Sequence, residues 1–306
     1  METMRYSQLI EVPPRGRGQG YNVYVEHTCF DVDRETILFL HGYLGSIDDY
    51  KTILERFSGN YNTIAIDIRG HGRSEFPDED EEWSLSSLAY DIHFVIERLV
   101  PYGLKLHIVA SSMSTAIALV YANLYQDRVE KLFLISPSAE FVIPTWGRII
   151  LGMGRYMPSF TRTLVNITVG IIPLFLGGKK NKEFAEKAKA KIKDLDYETH
   201  SRIMTETVKS WELDVSQINQ YVLIIAGEND PVIPYEDSVE LNSLLENSSI
   251  ITVKNSGHYL LAKRNEMIME LIELWLMPNM FLDTDFIIDP EEIYVSSTSQ
   301  EVVNFA

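Results

Sequence analysis

The sequence predicts an α/β protein: a mostly parallel central sheet, helices on both of its faces, and a helical insertion. Three observations predict it. Short apolar runs alternate along the chain with longer segments of helical periodicity. The runs are apolar throughout, as in Thr36 to Leu40 and Val222 to Ala226, which is the pattern of parallel strands buried on both faces. One long stretch, from about residue 139 to residue 220, interrupts the alternation and contains no convincing strand.

In chain order, Thr36 to Leu40 is expected to be a buried strand, Asp49 to Phe57 a helix and Thr63 to Asp67 a second strand. Leu85 to Leu99 has the spacing of a long helix. Lys105 to Val109 is a third strand, Ser114 to Tyr125 a helix and Val129 to Ile135 a fourth strand. After the interruption come strands at Val222 to Ala226 and Ser249 to Val253, with a helix from about Asp237 to Leu245 between them. A last helix runs from about Asn265 to Trp275. The expected organisation is a core over 1–138 and 221–276, a helical cap or lid over 139–220, and an acidic C-terminal tail over 277–306. The first half of the insertion is apolar (Phe141, Trp146, Ile149, Ile171, Phe175), and its second half carries lysines from Lys179 to Lys193. The tail holds Asp283, Asp285, Asp289, Glu291, Glu292 and Glu301 with no Lys or Arg.

Composition narrows the function classes. The 306 residues are 45% hydrophobic and 23% charged, an ordinary globular balance. A formal net charge of -17 argues against nucleic-acid binding over the whole surface. The lone Cys29 allows no intramolecular disulfide and no thiolate metal cage. No 18-residue apolar run and no signal-peptide core are present, so no membrane span is expected and a cytoplasmic location is the expectation. No metal-ligand spacing occurs, and no cofactor is expected.

The chemistry sits in three turns that follow strands. Ala110-Ser111-Ser112-Met113-Ser114 joins an apolar strand to an apolar helix, the layout of a nucleophile elbow written G-x-S-x-G, but without a glycine. Ser112 is the candidate nucleophile. It has small residues, Ala110 and Ser114, two positions to either side, where the turn crowds backbone on backbone. Ser111 would be flanked by Val109 and Met113, and Ser114 would lengthen the strand. The bland alternative is a serine-rich helix cap. Asp230 follows Val222 to Ala226 in a turn before Pro231 and is the candidate acid, with Glu228 the weaker alternative. His258 follows the last of these strands in Asn255-Ser256-Gly257-His258 and is the candidate base. A hydroxyl nucleophile needs a base within hydrogen-bond reach and an acid to orient that base.

With Phe39-Leu40-His41-Gly42-Tyr43-Leu44-Gly45-Ser46 and Asp67-Ile68-Arg69-Gly70-His71-Gly72-Arg73-Ser74, five motifs occur in order, and over residues 35 to 276 the chain resembles the α/β-hydrolase superfamily. The resemblance implies a serine hydrolase for carboxylic esters or thioesters of a hydrophobic acyl substrate. It implies an oxyanion hole from the backbone amides of Tyr43 and Met113, and loop-shaping roles for His41, Asp67, Arg69 and His71. Tyr43, Phe141, Trp146 and Tyr259 are the expected substrate-binding residues. The departures are Ala110 for the first elbow glycine and Ser114-Thr115 for the family's Gly-Gly. An A-x-S-x-S elbow also looks like that of the fatty-acid-releasing thioesterases of bacterial luminescence. The His41 to Ser46 loop is similar to that of menaquinone-pathway lyases, but Ala116 stands where their arginine would be. Lys179 to Lys193 could dock an acidic carrier protein, a coenzyme A phosphate or an anionic membrane surface. Competing readings are a C–C bond hydrolase or acyltransferase with the same triad, or a non-catalytic ligand-binding protein on this fold. Asp31, Asp33, Asp48 and Asp49 are expected to be solvated surface charges.

Overall fold

The computed structural model describes residues 4–15, 18–77, 81–140, 207–209, 213–277 and 293–297. The chain divides into two compact units, Met1–Glu140 with Leu213–Ala306, and Phe141–Glu212. The first unit carries the sheet.

Among the described residues nine strands form that sheet: β1 (Arg5–Val12), β2 (Tyr21–Thr28), β3 (Thr36–Leu40), β4 (Asn62–Ile66), β5 (Leu106–Ser111), β6 (Val129–Ile135), β7 (Tyr221–Gly227), β8 (Ser248–Val253) and β9 (Ile293–Ser297). Their order is β1-β2-β4-β3-β5-β6-β7-β8-β9. The six strands from β4 across to β8 pair in parallel. The two edges are antiparallel, β1 and β2 at one side and β9 against β8 at the other.

Side chains alternate across a strand, so Ile37 and Phe39 point to one face and Leu38 and Leu40 to the other. All four are buried, which is why the central runs are apolar without alternation. One face is covered by α1 (Lys51–Phe57) and α6 (Asn265–Leu276), whose Ile53, Leu54, Phe57, Ile268, Ile272 and Trp275 pack with Phe39, Val109, Phe133, Leu223 and Ile251. α2 (Leu85–Leu99) and α3 (Met113–Leu124) pack on each other. α4 (Tyr235–Leu244) lies against β7 and β8, and the short α5 (Leu260–Lys263) precedes α6.

The fold class agrees with the sequence, and the strand and helix boundaries shift by a few residues. The segment expected as one helix from Asp49 is a 3-10 turn over Ile47–Tyr50 followed by α1. Three strands were not anticipated. β1 and β2 are half-exposed antiparallel strands, so their polar residues (Arg5, Ser7, Gln8, Glu11, Asn22, Glu26) break any apolar run. β9 lies in the acidic tail, too short to stand out there. Among the described residues no helix is long and apolar enough to cross a membrane.

Candidate active site

From β3 the chain passes to β4 on one side and then returns to β5 on the other. That reversal opens a crevice at the carboxyl ends of β3 and β5, where open parallel sheets place ligands. The loop after β3 (residues 41–45) and the turn after β5 meet there. A Cβ built on Gly42 would lie 3.1 Å from both Ser111 O and Ser112 Cβ, so the loop rests against the turn.

Ser112 caps α3 with φ 55° and ψ -124°, a conformation that a residue bearing a Cβ adopts at a cost of order 1–3 kcal/mol. Its surroundings hold it there. The Ser112 amide donates to Ile135 O at 2.9 Å, and the Ser112 carbonyl accepts from the Thr115 amide at 2.9 Å and the Thr115 hydroxyl at 2.6 Å. The strained turn lifts Oγ out of the strand line. His258 Nε2 lies 2.9 Å from it. His258 Nδ1 is 2.8 Å from Asp230 Oδ2, and Asp230 Oδ1 accepts from the amides of Val232 and Ile233 at 2.8 and 3.0 Å. A carboxylate only accepts, so Nδ1 carries the hydrogen and the Nε2 lone pair faces the Ser112 hydroxyl. The Asp230 and His258 side chains are 2% and 9% exposed.

The two loops that carry this pair interlock. A Cβ on Gly227 would lie 2.7 Å from the carbonyl oxygens of Ser256 and Gly257, so only glycine fits at the end of β7. Asn229 N donates to Ser256 O at 2.8 Å and Glu228 N to Val253 O at 3.1 Å. The Glu228 carboxylate, the other candidate acid, accepts from the Asn255 amide at 2.9 Å. Tyr259 follows His258 with its ring edge-on, 5.6 Å between centroids; burial, and secondarily the Asp230 charge, push its hydroxyl above the usual phenol range.

Tyr43 lies in the loop after β3, its ring edge-on to His71 at 5.6 Å. Met113 is the buried first residue of α3. His41 is buried: its Nε2 accepts from the Ile68 amide at 3.0 Å, which leaves Nδ1 to donate to Gly42 O at 2.8 Å. His71 Nδ1 lies 3.0 Å from Arg69 O. In the turn after β4, the Asp67 carboxylate accepts the amides of Ile47 (2.6 Å) and Arg73 (2.8 Å). Arg69 is sealed beneath. It meets Asp91 at 2.5 and 2.7 Å, donates to Glu82 O and Ser87 O, and lies over the rings of Tyr21 and Trp83. Tyr21 OH donates to Asp91 at 2.8 Å. Burial pushes the Asp91 carboxyl up to about 6 against the pull of Arg69.

The structure therefore brings Ser112, Asp230 and His258 together and sets Tyr43 and Met113 on the two elements beside Ser112. Phe141, Trp146 and Lys179 to Lys193 lie outside the described residues. Three expected surface charges have structural partners: Asp31 pairs with Arg34 at 3.3 Å, Asp49 accepts from the Ser46 amide at 3.0 Å and completes a capping box, and Asp48 pairs with Arg73 at 3.1 Å. Two features of the site were missed. The amides of Val232 and Ile233 that hold Asp230 are backbone groups with no residue signature. Ser114, weighed as a small flanking residue and as an alternative nucleophile, places its hydroxyl among three backbone groups of the turn and of β3.

A family model described as alpha/beta hydrolase fold matches residues 35–264, and the chain belongs to this family. Protein PHYLLO, chloroplastic, of Arabidopsis thaliana is 29% identical over 140 residues, which is 44% of this chain and 8% of that protein's length. Lipase 3 of Moraxella sp. (strain TA144) is 22% identical over 257 residues, covering 77% of this chain and 75% of the lipase. The crystal structure of MGS-M2, an alpha/beta hydrolase enzyme from a Medee basin deep-sea metagenome library, superposes with a TM-score of 0.69 at 20% identity, over 86% of this chain and 97% of that one.

Proposed function

We propose that this chain is a serine hydrolase that cleaves a carboxylic ester or thioester of a hydrophobic acyl group. The observation that carries the reading is the relay from Asp230 through His258 to Ser112, with contacts of 2.8 and 2.9 Å at the crevice of the sheet. Similarity to Lipase 3 supports ester chemistry, and the apolar residues of the first half of the insertion suit an acyl chain.

In the proposed reaction Ser112 Oγ attacks the acyl carbon while its proton passes to His258 Nε2. Asp230 stabilises the imidazolium and fixes its orientation. The imidazolium then protonates the departing alkoxide or thiolate, leaving an acyl group on Ser112. His258 next takes a proton from water, the hydroxide attacks the acyl carbon, and Ser112 leaves with the proton from His258.

The tetrahedral oxyanion would be held by the Met113 and Tyr43 amides. Met113 opens α3, where a backbone N–H has no partner within its own helix. The Tyr43 N–H belongs to the same trans peptide as the Gly42 carbonyl, which accepts from Gly45 N at 2.9 Å and His41 Nδ1 at 2.8 Å. Anchoring the carbonyl directs the N–H to the opposite side. Each such donor contributes about 3–4 kcal/mol to the transition state.

The test is labelling by a fluorophosphonate probe and turnover of p-nitrophenyl esters of increasing chain length, wild type beside Ser112→Ala. The wild type should label and turn over. Ser112→Ala should lose labelling and about 10⁴- to 10⁶-fold in kcat. A folded wild type that neither labels nor hydrolyses any ester or acyl-thioester would leave the non-catalytic reading standing.

A further inference from the structure

The elbow departs from glycine at Ser114, and the hydroxyl that replaces it is fully buried. Ser114 Oγ accepts from the Ser111 amide at 3.0 Å and lies 2.7 Å from Leu40 O, to which it donates; Ser111 O, at 3.0 Å, is its other neighbour. Leu40 and Ala110 are register partners at the ends of β3 and β5. Leu40 is also the last residue before the loop 41–45, and its carbonyl is the first fixed point of that loop. A second donor, Tyr50 OH at 3.0 Å, shares the same carbonyl.

The hydroxyl thus stands between the two strands where the crevice opens. It joins the backbone of the turn that presents Ser112 to the carbonyl from which the Tyr43 loop departs. Glycine at this position would allow close approach but make no such link. Loss of the hydroxyl removes an acceptor from the Ser111 amide and a donor from Leu40 O, and either segment can relax in response. Relaxation there changes the distance between the Ser112 hydroxyl and the Tyr43 amide.

We infer that Ser114 is a positioning residue: its hydroxyl sets the nucleophile and the oxyanion loop in register, in place of the glycine contact. The inference rests on the hydrolase reading above. It states that the variant elbow is a different way of holding the same geometry, in which a small residue contributes a hydrogen bond as well as its small size. Misplacement of one oxyanion donor should weaken the transition state more than the bound ester.

The experiment compares wild type, Ser114→Ala, Ser114→Gly, Ser114→Thr and Tyr50→Phe with p-nitrophenyl acetate. It also measures inhibition by an alkyl trifluoromethyl ketone, whose hydrate-like adduct on serine carries the oxyanion. Ser114→Ala and Ser114→Gly should lose about 10- to 100-fold in kcat, with KM within about threefold, and ketone affinity should fall in parallel with kcat/KM. Ser114→Thr keeps a hydroxyl and should recover most of the loss. Tyr50→Phe removes the other donor to Leu40 O and should shift the melting temperature more than kcat. If the Ala and Gly variants melt lower but keep wild-type kcat and ketone affinity, Ser114 is only structural and the inference is overturned. Should one of the two fail to fold, the other carries the same comparison. An active wild type with unchanged Ser114 variants overturns this inference alone. A wild type that is not labelled, not active and not inhibited overturns the hydrolase reading and this inference with it.

Discussion

Asp91 and Asp230 are both carboxylates in closed surroundings, and in both every oxygen is engaged. Asp91 takes two contacts from Arg69 and one from Tyr21 OH; Asp230 takes two backbone amides and His258 Nδ1. The difference lies in the nitrogen partner. Arg69 has donors and no acceptor, and those donors end on Asp91, Glu82 O and Ser87 O, with the buried Glu81 carboxylate 3.7 Å away, beneath Trp83 and Tyr21. His258 has a second nitrogen, and its lone pair faces a hydroxyl on a turn at positive φ. A buried ion pair by itself therefore says little about reactivity. What distinguishes the candidate active site is the nitrogen whose remaining partner is a proton that can move.

The sharpest way to break this contrast is Asp230→Asn. Asparagine can keep its oxygen on the Val232 and Ile233 amides, so the loop should hold and stability should change by less than about 1 kcal/mol. Its amide nitrogen, however, would face Nδ1. The imidazole must then accept at Nδ1 and carry its hydrogen on Nε2, where it cannot take the proton of Ser112. The expected loss is about 10⁴-fold in kcat/KM, measured with a p-nitrophenyl ester beside a thermal melt. Activity within tenfold of wild type would mean that the tautomer of His258 does not govern the reaction.

Arg69→Met should do the reverse, taking stability and leaving the Ser112–His258 contact in place. Removing one member of a buried pair costs about 3–5 kcal/mol, because the other charge stays behind. The pH dependence has a definite sign. Asp91 stands at about 6 in the fold, above the roughly 3.9 of an unfolded chain, so the folded state binds its proton more tightly. The contribution of that tighter binding to stability is fully present below about pH 4 and is lost as pH rises through about 6. Without Arg69 the carboxyl rises further, and the deficit should be larger at pH 8 than at pH 5 in urea unfolding. Folded variant should still label at Ser112. A deficit that does not change with pH would mean that the lost carbonyl contacts, rather than the charge on Asp91, set the cost.

The contrast also marks what could be read in the sequence. Buried parallel strands declare themselves by apolar runs, and the turns that follow them can be checked for residue type one at a time. The candidates Ser112, Asp230 and His258, which meet in the structure, could be picked out for that reason, although 118 residues separate Ser112 from Asp230 in sequence. β1 and β2 were not, because a half-exposed antiparallel strand mixes polar and apolar residues within one short run. The Asp49 cap escaped notice because an acidic residue in a loop has the same letter whether it is solvated or holds an amide. Ser114 shows a finer limit. The rule for the elbow asks only that the residue be small, and whether a small residue also bonds depends on where Leu40 O lies, 74 residues away in sequence.

A third pair tests whether enclosure is what gives Arg69–Asp91 its worth. Arg56 on α1 meets Glu273 on α6 through two contacts of 2.7 and 2.8 Å and Glu266 through one of 2.7 Å. Its geometry is as good as that of Arg69, but the Arg56 and Glu273 side chains are 33% and 40% exposed. The hydrogen bonds from Arg56 hold the Glu273 carboxyl below the usual carboxylate range. A lowered folded-state value means stability that is present above the unfolded range of about 4.3 and lost as pH falls through the folded one. Water solvates both charges in the unfolded chain and screens them in the folded one, so Glu273→Gln should cost less than about 1 kcal/mol at pH 7. The difference from wild type should shrink in 1 M salt and disappear as pH falls through the lowered Glu273 value, as followed by urea unfolding. A loss near that of Arg69→Met would show that bidentate geometry, and not enclosure, decides what an ion pair contributes in this fold.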